Sequence, residues 1–317
     1  MNDCLEVLEG VAHKDKAAFG RLLSLIESQP SRALELLDDA YRASDGGTET
    51  CCIGLVGGPG VGKSTLINSL LGRASSQGRN VAVVAIDPSS PFSGGAVLGD
   101  RIRMHNHANL PNVFVRSMAT RGQEGGLAAS TPEIVELLCQ LGFDSVLVES
   151  AGAGQVDLTI AEVADTVVVV VVPGWGDSIQ VAKAGLLEIA DIYVVNKSDQ
   201  AGALGAARDI EVMLRYRQLA DHKPKVLITS GLLDQGIDEL WGAITDHQSQ
   251  LCSSGQRFLR RSRRLASIIR RLALTEVTAV WEEARIAELA EAVMSKQMAV
   301  SQAVGQLVNG KRSGIHV

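Results

Sequence analysis

The chain has 317 residues, enough for one large domain with appendages or for two domains. Its 46% hydrophobic content can bury a sizeable core, while 21% charge and a net charge of −6 give no sign of nonspecific nucleic-acid binding. Five scattered cysteines (Cys4, Cys51, Cys52, Cys139 and Cys252) argue against a disulfide framework, and Cys51 and Cys52 read as small buried hydrophobes in a strand.

Residues 1–44 have a helical pattern. Ser31, after Pro30, is a candidate N-cap for a helix in which Ala33, Leu34, Leu37 and Tyr41 recur at helical spacing. The start, Met1 to Glu6, has neither an apolar signal core nor an Arg-rich presequence. Polar residues Ser44 to Thr48 read as a linker, closing an N-terminal helical extension over 1–48.

From 49 to 250 apolar runs alternate with helical patterns. The strand candidates are 51–56, 81–86, 113–116, 145–149, 166–172, 191–195 and 225–229. They are continuously apolar, as strands covered on both faces must be. The expected fold is α/β, a doubly wound and mostly parallel sheet, with ligands at the carboxyl ends of the strands. The longest apolar run, Val167 to Val172, is far too short to cross a bilayer, and the expectation is a soluble cytoplasmic protein without a membrane or nucleic-acid partner.

Residues 251–317 continue without strands, as a C-terminal helical arm. Arg257, Arg260, Arg261, Arg263, Arg264, Arg270 and Arg271 crowd its first part, where Phe258, Leu265, Ile269 and Leu272 recur at helical spacing. The pattern predicts an amphipathic helix with its arginines in solvent, the alternative being a basic surface for an acidic partner. Helices appended to a complete sheet suit packing on another chain, so a homodimer is expected.

The chemistry begins at residues 57–64, Gly57-Gly58-Pro59-Gly60-Val61-Gly62-Lys63-Ser64, a phosphate loop between a strand and a helix. Its glycines let successive backbone N–H groups, including those of Gly58, Gly60, Val61, Gly62 and Thr65, turn towards phosphate oxygens at a helix N-terminus. Lys63 would reach the β- and γ-phosphates and Ser64 would offer a hydroxyl to Mg²⁺. Asn196-Lys197-Ser198-Asp199 follows the strand ending at Val195. A carboxylate at Asp199 can accept from guanine's ring N–H and amine, donors that adenine lacks in that arrangement, so the nucleotide expected is GTP, with GDP as product. Asn196 would either brace the loop or meet the base, and the Lys197 stem would cover the ring. Thr229-Ser230-Gly231 could complete the pocket through Ser230 and Gly231.

Three acidic residues are candidates for the metal shell. Asp87 ends one strand, Glu149 ends another with Gly152 three positions on, and Asp100 lies in a Gly-rich segment. With Ser64 they form the candidate Mg²⁺ set, and Gly152 N–H would meet the γ-phosphate. Gln155 could orient water, two positions beyond the place familiar from small GTPases. With no arginine finger assignable, slow intrinsic hydrolysis that a partner accelerates is expected.

Several longer motifs resemble those of the MeaB/ArgK GTPases, the methylmalonyl-CoA-mutase-associated chaperones. They are Asp87-Pro88-Ser89-Ser90 with Leu98-Gly99-Asp100-Arg101, Arg116 to Gly122, and Pro173-Gly174-Trp175-Gly176-Asp177 with Lys183-Ala184-Gly185. The resemblance covers residues 50–245 in motif detail. It implies an all-parallel P-loop GTPase core of the signal-recognition/MinD/BioD (SIMIBI) class and a homodimer formed through the C-terminal arm. It also implies service to an adenosylcobalamin-dependent acyl-CoA mutase, gating cofactor loading and protection or reactivation. By position Lys63, Asp87, Asp100 and Glu149 match the family's catalytic and magnesium group, and 172–183, with Asp177 and Lys183, a segment that relays nucleotide state. This chain departs from the family's usual residues at Ala151, Ala153 and Trp175. A metallochaperone GTPase of the nickel-insertion type is the alternative, and would want a Cys/His cluster near the switch.

Overall fold

The computed structural model describes residues 15–29, 32–44, 50–87, 110–120, 126–152, 158–174, 185–216, 224–278, 281 and 283–309. Seven strands form one sheet: β1 (Cys51–Val56), β2 (Val81–Asp87), β3 (Val113–Ala119), β4 (Ser145–Glu149), β5 (Thr166–Val171), β6 (Ile192–Val195) and β7 (Lys225–Ile228). Their order is β3-β2-β4-β1-β5-β6-β7 and every pairing is parallel. All seven expected strands are present, within a few residues of their expected ends.

The sheet's continuous apolar runs are explained by what covers them. Over one face lie α3 (Lys63–Ser76) and α8 (Ile237–Ser253). Leu66, Ile67, Leu70, Leu71, Trp241 and Ile244 from these helices join Ile53, Leu55, Val83, Leu147 and Val168 of the strands in one core. Over the other face lie α4 (Thr131–Gln140) and the single turn α5 (Ile160–Val163). Strand β5 is buried throughout, as a central strand between helical layers must be. Among the described residues, the β5–β6 connection carries α6 (Leu186–Ile189) and the β6–β7 connection carries α7 (Ala203–Tyr216).

The N-terminal helices α1 (Lys16–Ser28) and α2 (Arg32–Ala43) pack on α4. Phe19 of α1 meets Phe114 and Phe143 at ring-centroid distances of 5.3 and 5.2 Å, geometry that favours aromatic pairs. The buried face of α2 is Ala33, Leu36, Leu37 and Ala40. Leu34 and Tyr41 are exposed, so the stripe expected from the sequence is rotated. Tyr41 instead lays its hydroxyl on Glu136 of α4, donating at 2.6 Å. The proposed cap Ser31 lies outside the described residues.

The chain divides into two compact units, Met1–Ile268 and Ile269–Val317. Helix α9 (Gln256–Thr278) crosses this boundary, and α10 (Glu283–Met294) and α11 (Val300–Asn309) pack on each other in the second unit. Cys52 is fully buried, as expected of a core thiol, whereas Cys51 is half-buried.

The first part of α9 leaves Arg263 and Arg270 exposed, as expected, but turns Arg257, Arg260, Arg261 and Arg264 inward. Arg264 is 1% exposed, whereas Phe258 is 74% and Ile269 65% exposed. Arg264 Nε donates to Glu136 at 2.8 Å and its Nη1 to the Val163 carbonyl at 2.7 Å. Arg260 forks onto Asp191 with two bonds of 2.8 Å, and Arg257 and Arg261 both donate to the Thr50 carbonyl. These partners lie at the amino ends of β1, β5 and β6 and on α4. Arginine, Coulombically matched and hydrogen-bonded there, is the inward face of the helix. Burial pushes the Glu136 carboxyl up, but Arg264 and hydrogen bonds from Tyr41, Gln140 and Arg264 outweigh it and leave its pKa below the usual value.

Candidate functional site

The carboxyl ends of β1, β2, β4, β6 and β7 gather the predicted residues. The loop after β1 runs from Gly57 into α3, whose N-cap is Gly62 with φ 96°. That left-handed φ favours glycine, and a Cβ there would also collide with the Asn196 amide. Lys63 and Ser64 open α3 and are buried. Lys63 Nζ turns back along the loop and donates to the carbonyls of Gly57 at 2.9 Å and Gly58 at 3.2 Å.

Glu149 and Asp87 end neighbouring strands, and the register places them. Ala85 of β2 lies opposite Glu149 of β4. Two residues further along, Asp87 therefore shares Glu149's face of the sheet, about 7 Å up the strand. That is the α3 face, since Leu55, also in register with Glu149, packs in the core beneath α3. Both carboxylates are buried, at 3% exposure each. Ser64 Oγ donates to Glu149 Oε1 at 2.7 Å. Hydroxyl and carboxylates thus converge at the start of α3, all with oxygen atoms.

Gly152 lies three residues beyond Glu149, with φ 65°. A Cβ on it would stand 2.7 Å from Lys63 Nζ and 2.9 Å from the Gly57 carbonyl. The segment after β4 is therefore laid directly across the phosphate loop. It is held there by Ser150 N–H on the Leu55 carbonyl and Ala151 N–H on the Gly126 carbonyl. The role of Gly126 as an anchor was not legible in the sequence.

At the other side of the loop Asn196 has a definite task. Its Nδ2 donates to the Val61 carbonyl at 2.8 Å, while its Oδ1 accepts from Thr229 Oγ1 and Gly231 N, each at 3.1 Å. Of the two tasks left open by the sequence, the side chain performs the bracing one: it ties the phosphate loop to the loop after β7. Gly231 lies against Thr65 and Leu66 of α3. Lys197 adopts φ 59°. Ser230 is buried and donates to Asp199 Oδ1 at 2.7 Å, while Asp199 itself is exposed at the rim.

Asp100, Gln155, Ala153, Trp175, Asp177 and Lys183 lie outside the described residues. Among the described residues, no group of three or more His, Cys, Asp or Glu side chains could hold a metal by itself. No helix among them is long and apolar enough to cross a membrane.

This arrangement can hold a triphosphate on backbone N–H groups and a lysine, and set a carboxylate at a base-binding loop. Comparison with known proteins agrees. A Pyrococcus abyssi protein named as a GTPase is 43% identical over 271 residues, 84% of this chain and 82% of its own length. The mouse mitochondrial methylmalonic aciduria type A homolog is 32% identical over 264 residues, 78% of this chain and 63% of its own. The crystal structure of an LAO/AO transport system kinase superposes with a TM-score of 0.67, covering 98% of this chain and 97% of that one at 24% identity, and so shares its fold. The family described as Methylmalonyl Co-A mutase-associated GTPase MeaB matches residues 19–285. The chain belongs to the MeaB family of P-loop GTPases: it binds GTP and GDP and hydrolyses GTP.

Proposed function

We propose that this GTPase serves an adenosylcobalamin-dependent acyl-CoA mutase, methylmalonyl-CoA mutase or a near relative, gating the loading and protection of its cofactor. The observation that carries this is the family match across residues 19–285, in a family described by its association with methylmalonyl-CoA mutase. The mouse relative named for methylmalonic aciduria supports it.

In this reading the backbone of Gly58 to Thr65 holds the phosphates, with Lys63 on the β- and γ-oxygens. Lys63 is already inside the loop, so nucleotide entry exchanges its two carbonyl partners for phosphate oxygens. Gly152, beside the Lys63 ammonium, lends its N–H to the terminal phosphate. Asp199, with one oxygen steadied by Ser230, reads the guanine edge. Ser64, Glu149 and Asp87 offer the hard oxygen donors that Mg²⁺ takes. When bound, that ion would offset charge on the β- and γ-phosphates. Asp100 and Gln155 complete the assigned group by sequence position.

The dimer is assigned to residues 251–317. Phe258, Leu259, Ile269, Leu274, Met294 and Val304 are large apolar side chains exposed there. Single exposed apolar residues are ordinary, but a series along one helical arm suits a partner chain. On this reading the protein works in the cytoplasm.

The test is GTP turnover with and without the purified mutase, together with cobalamin transfer into apo-mutase. Stimulated turnover and nucleotide-dependent transfer are expected. Neither effect, with a mutase encoded beside this gene, would leave a GTPase serving some other client. Light scattering on the full-length chain tests the dimer, and a mass of one chain would overturn it.

A further inference from the structure

At the opposite end of the sheet from the phosphate loop lies a second cavity, a cleft of about 630 Å³. Pockets of this size take small molecules. One wall is a single face of α8, where Trp241, Ile244, Thr245, Gln248 and Cys252 recur at helical spacing. The floor is made by Ile53 of β1 and Ser145, the first residue of β4. Four steps along the strand separate Ser145 from Glu149 at the nucleotide end, about 13 Å. The two sites therefore share strands without sharing a wall.

Charge and hydrogen-bonding capacity define what the cleft would hold. Arg79 and Arg257 both line it, and no lining residue is acidic. The Arg79 guanidinium lies 5.5 Å from the centroid of the Trp241 ring and has no carboxylate partner among the described residues. Two residues that line the cleft each carry a buried polar atom with no hydrogen-bond partner among the described residues: Ser145 at Oγ and Gln248 at Oε1. The two residues are 1% and 5% exposed. Buried polar groups in native proteins are paired, so two orphans in one cavity mark a missing partner. Gln248 Oε1 can only accept, because Nε2 of the same amide is the group that donates to Thr166. The partner must therefore bring a donor as well as negative charge.

We infer that this cleft is a second ligand site, for a small hydroxylated organic anion bound between Arg79 and Arg257. Its carboxylate or phosphate meets the guanidinium groups in charge-assisted hydrogen bonds. A hydroxyl on the same molecule donates to Gln248 Oε1, and a further oxygen meets the Ser145 hydroxyl.

The experiment is titration calorimetry on the full-length protein kept saturated with GDP, so that the phosphate loop is filled. The probes are ribose 5-phosphate, mandelate and uncharged ribose. One or both anions should bind at one site per chain while ribose does not, and the stronger anion identifies the charged group preferred. Arg79→Gln should weaken binding by about tenfold or more, one charge-assisted contact being lost. Ser249→Phe, at the exposed rim of the cleft, should block it by bulk without touching either arginine. Basal GTP hydrolysis of both variants should match the parent, which also reports on folding. The proposal fails if neither anion binds, if ribose binds as well, if both variants bind like the parent, or if GDP displaces the anion.

Discussion

Asn196→Ala is the sharpest probe of how the nucleotide site is assembled. The amide makes three hydrogen bonds, to the Val61 carbonyl, Thr229 Oγ1 and Gly231 N, and is 3% exposed. At about 1 kcal/mol net each, their loss removes about 3 kcal/mol, and water entering from the open rim returns part of it. A domain of this size should melt about 5–10 °C lower. Both loops touch bound nucleotide in the proposed site, so GTP and GDP affinity should each fall by about tenfold to a hundredfold, with 1.4 kcal/mol per decade. The preference for GTP over ATP should persist, because in the proposed site Asp199 does the reading. Asn196→Asp should fall between: it keeps both acceptor bonds but sets a carboxylate against the Val61 carbonyl. Differential scanning fluorimetry and a competition assay with fluorescent GDP measure both quantities. An alanine variant that melts like the parent but loses its GTP preference would show that Asn196 meets the base and braces nothing.

Lys63→Ala should abolish turnover while circular dichroism stays unchanged, since in the proposed site it removes charge from the transferring phosphate rather than an apolar core side chain; near-normal turnover would refute the assignment. Gly152→Ala forces a left-handed alanine, costing about 1–2 kcal/mol. Its methyl would press on Lys63 Nζ, so hydrolysis should fall more steeply than GDP binding, and an equal loss of both would place Gly152 away from the terminal phosphate. Asp199→Asn should weaken GTP and shift preference towards xanthosine triphosphate, whose carbonyl replaces guanine's amine and suits an amide donor; an unchanged preference for GTP counts against the base loop. Glu136 has a lowered folded pKa, so its contribution to stability is present above the ordinary glutamate value of about 4.3 and disappears as pH falls through the lower folded value. Urea midpoints measured between about pH 5 and pH 3 should drop less in Glu136→Gln than in the parent, and equal drops would remove Glu136 from the acid transition.

The strands and the phosphate loop were legible because local sequence determines them. A run such as Val167 to Val171 has nowhere to go but between two helical layers, and a strand followed by this glycine pattern can only turn into a helix start. The Asn196 side chain shows where such reading stops. Its type and position were plain, but its choice between base and loop depends on Val61 and Gly231, which are distant in sequence. The stripe on α2 was misplaced for a related reason. Tyr41 looked like a core residue, yet it lies half in solvent with its hydroxyl on Glu136, and Ala40 and Leu36 face inward.

The arginines of α9 carry the same lesson furthest. A helical wheel assigns arginine to solvent by its transfer cost, and that cost is real for an unmatched charge. What overturns it is a set of acceptors distributed over the amino ends of three strands and a helix. Asp165 accepts from Cys52 N–H and Asp191 from Val167 N–H, so each carboxylate first stitches adjacent strands together. Their charge then needs a cation, and α9 supplies one at Arg260 and another at Arg264, one turn apart. A buried ion pair adds little stability over an apolar pair of the same shape, whereas stripping one member costs about 3–5 kcal/mol. The network therefore does less to hold α9 down than to fix its register. Turned by one residue, the helix would set Leu265 in the place of Arg264 and leave Glu136 and Asp165 unmatched. Acidic residues thus serve opposite ends of this sheet in different ways: at the amino ends they are neutralised permanently by the protein's own arginines, and at the carboxyl ends Asp87 and Glu149 end their strands on the α3 face, Glu149 bonded to Ser64, where the nucleotide is proposed to bind.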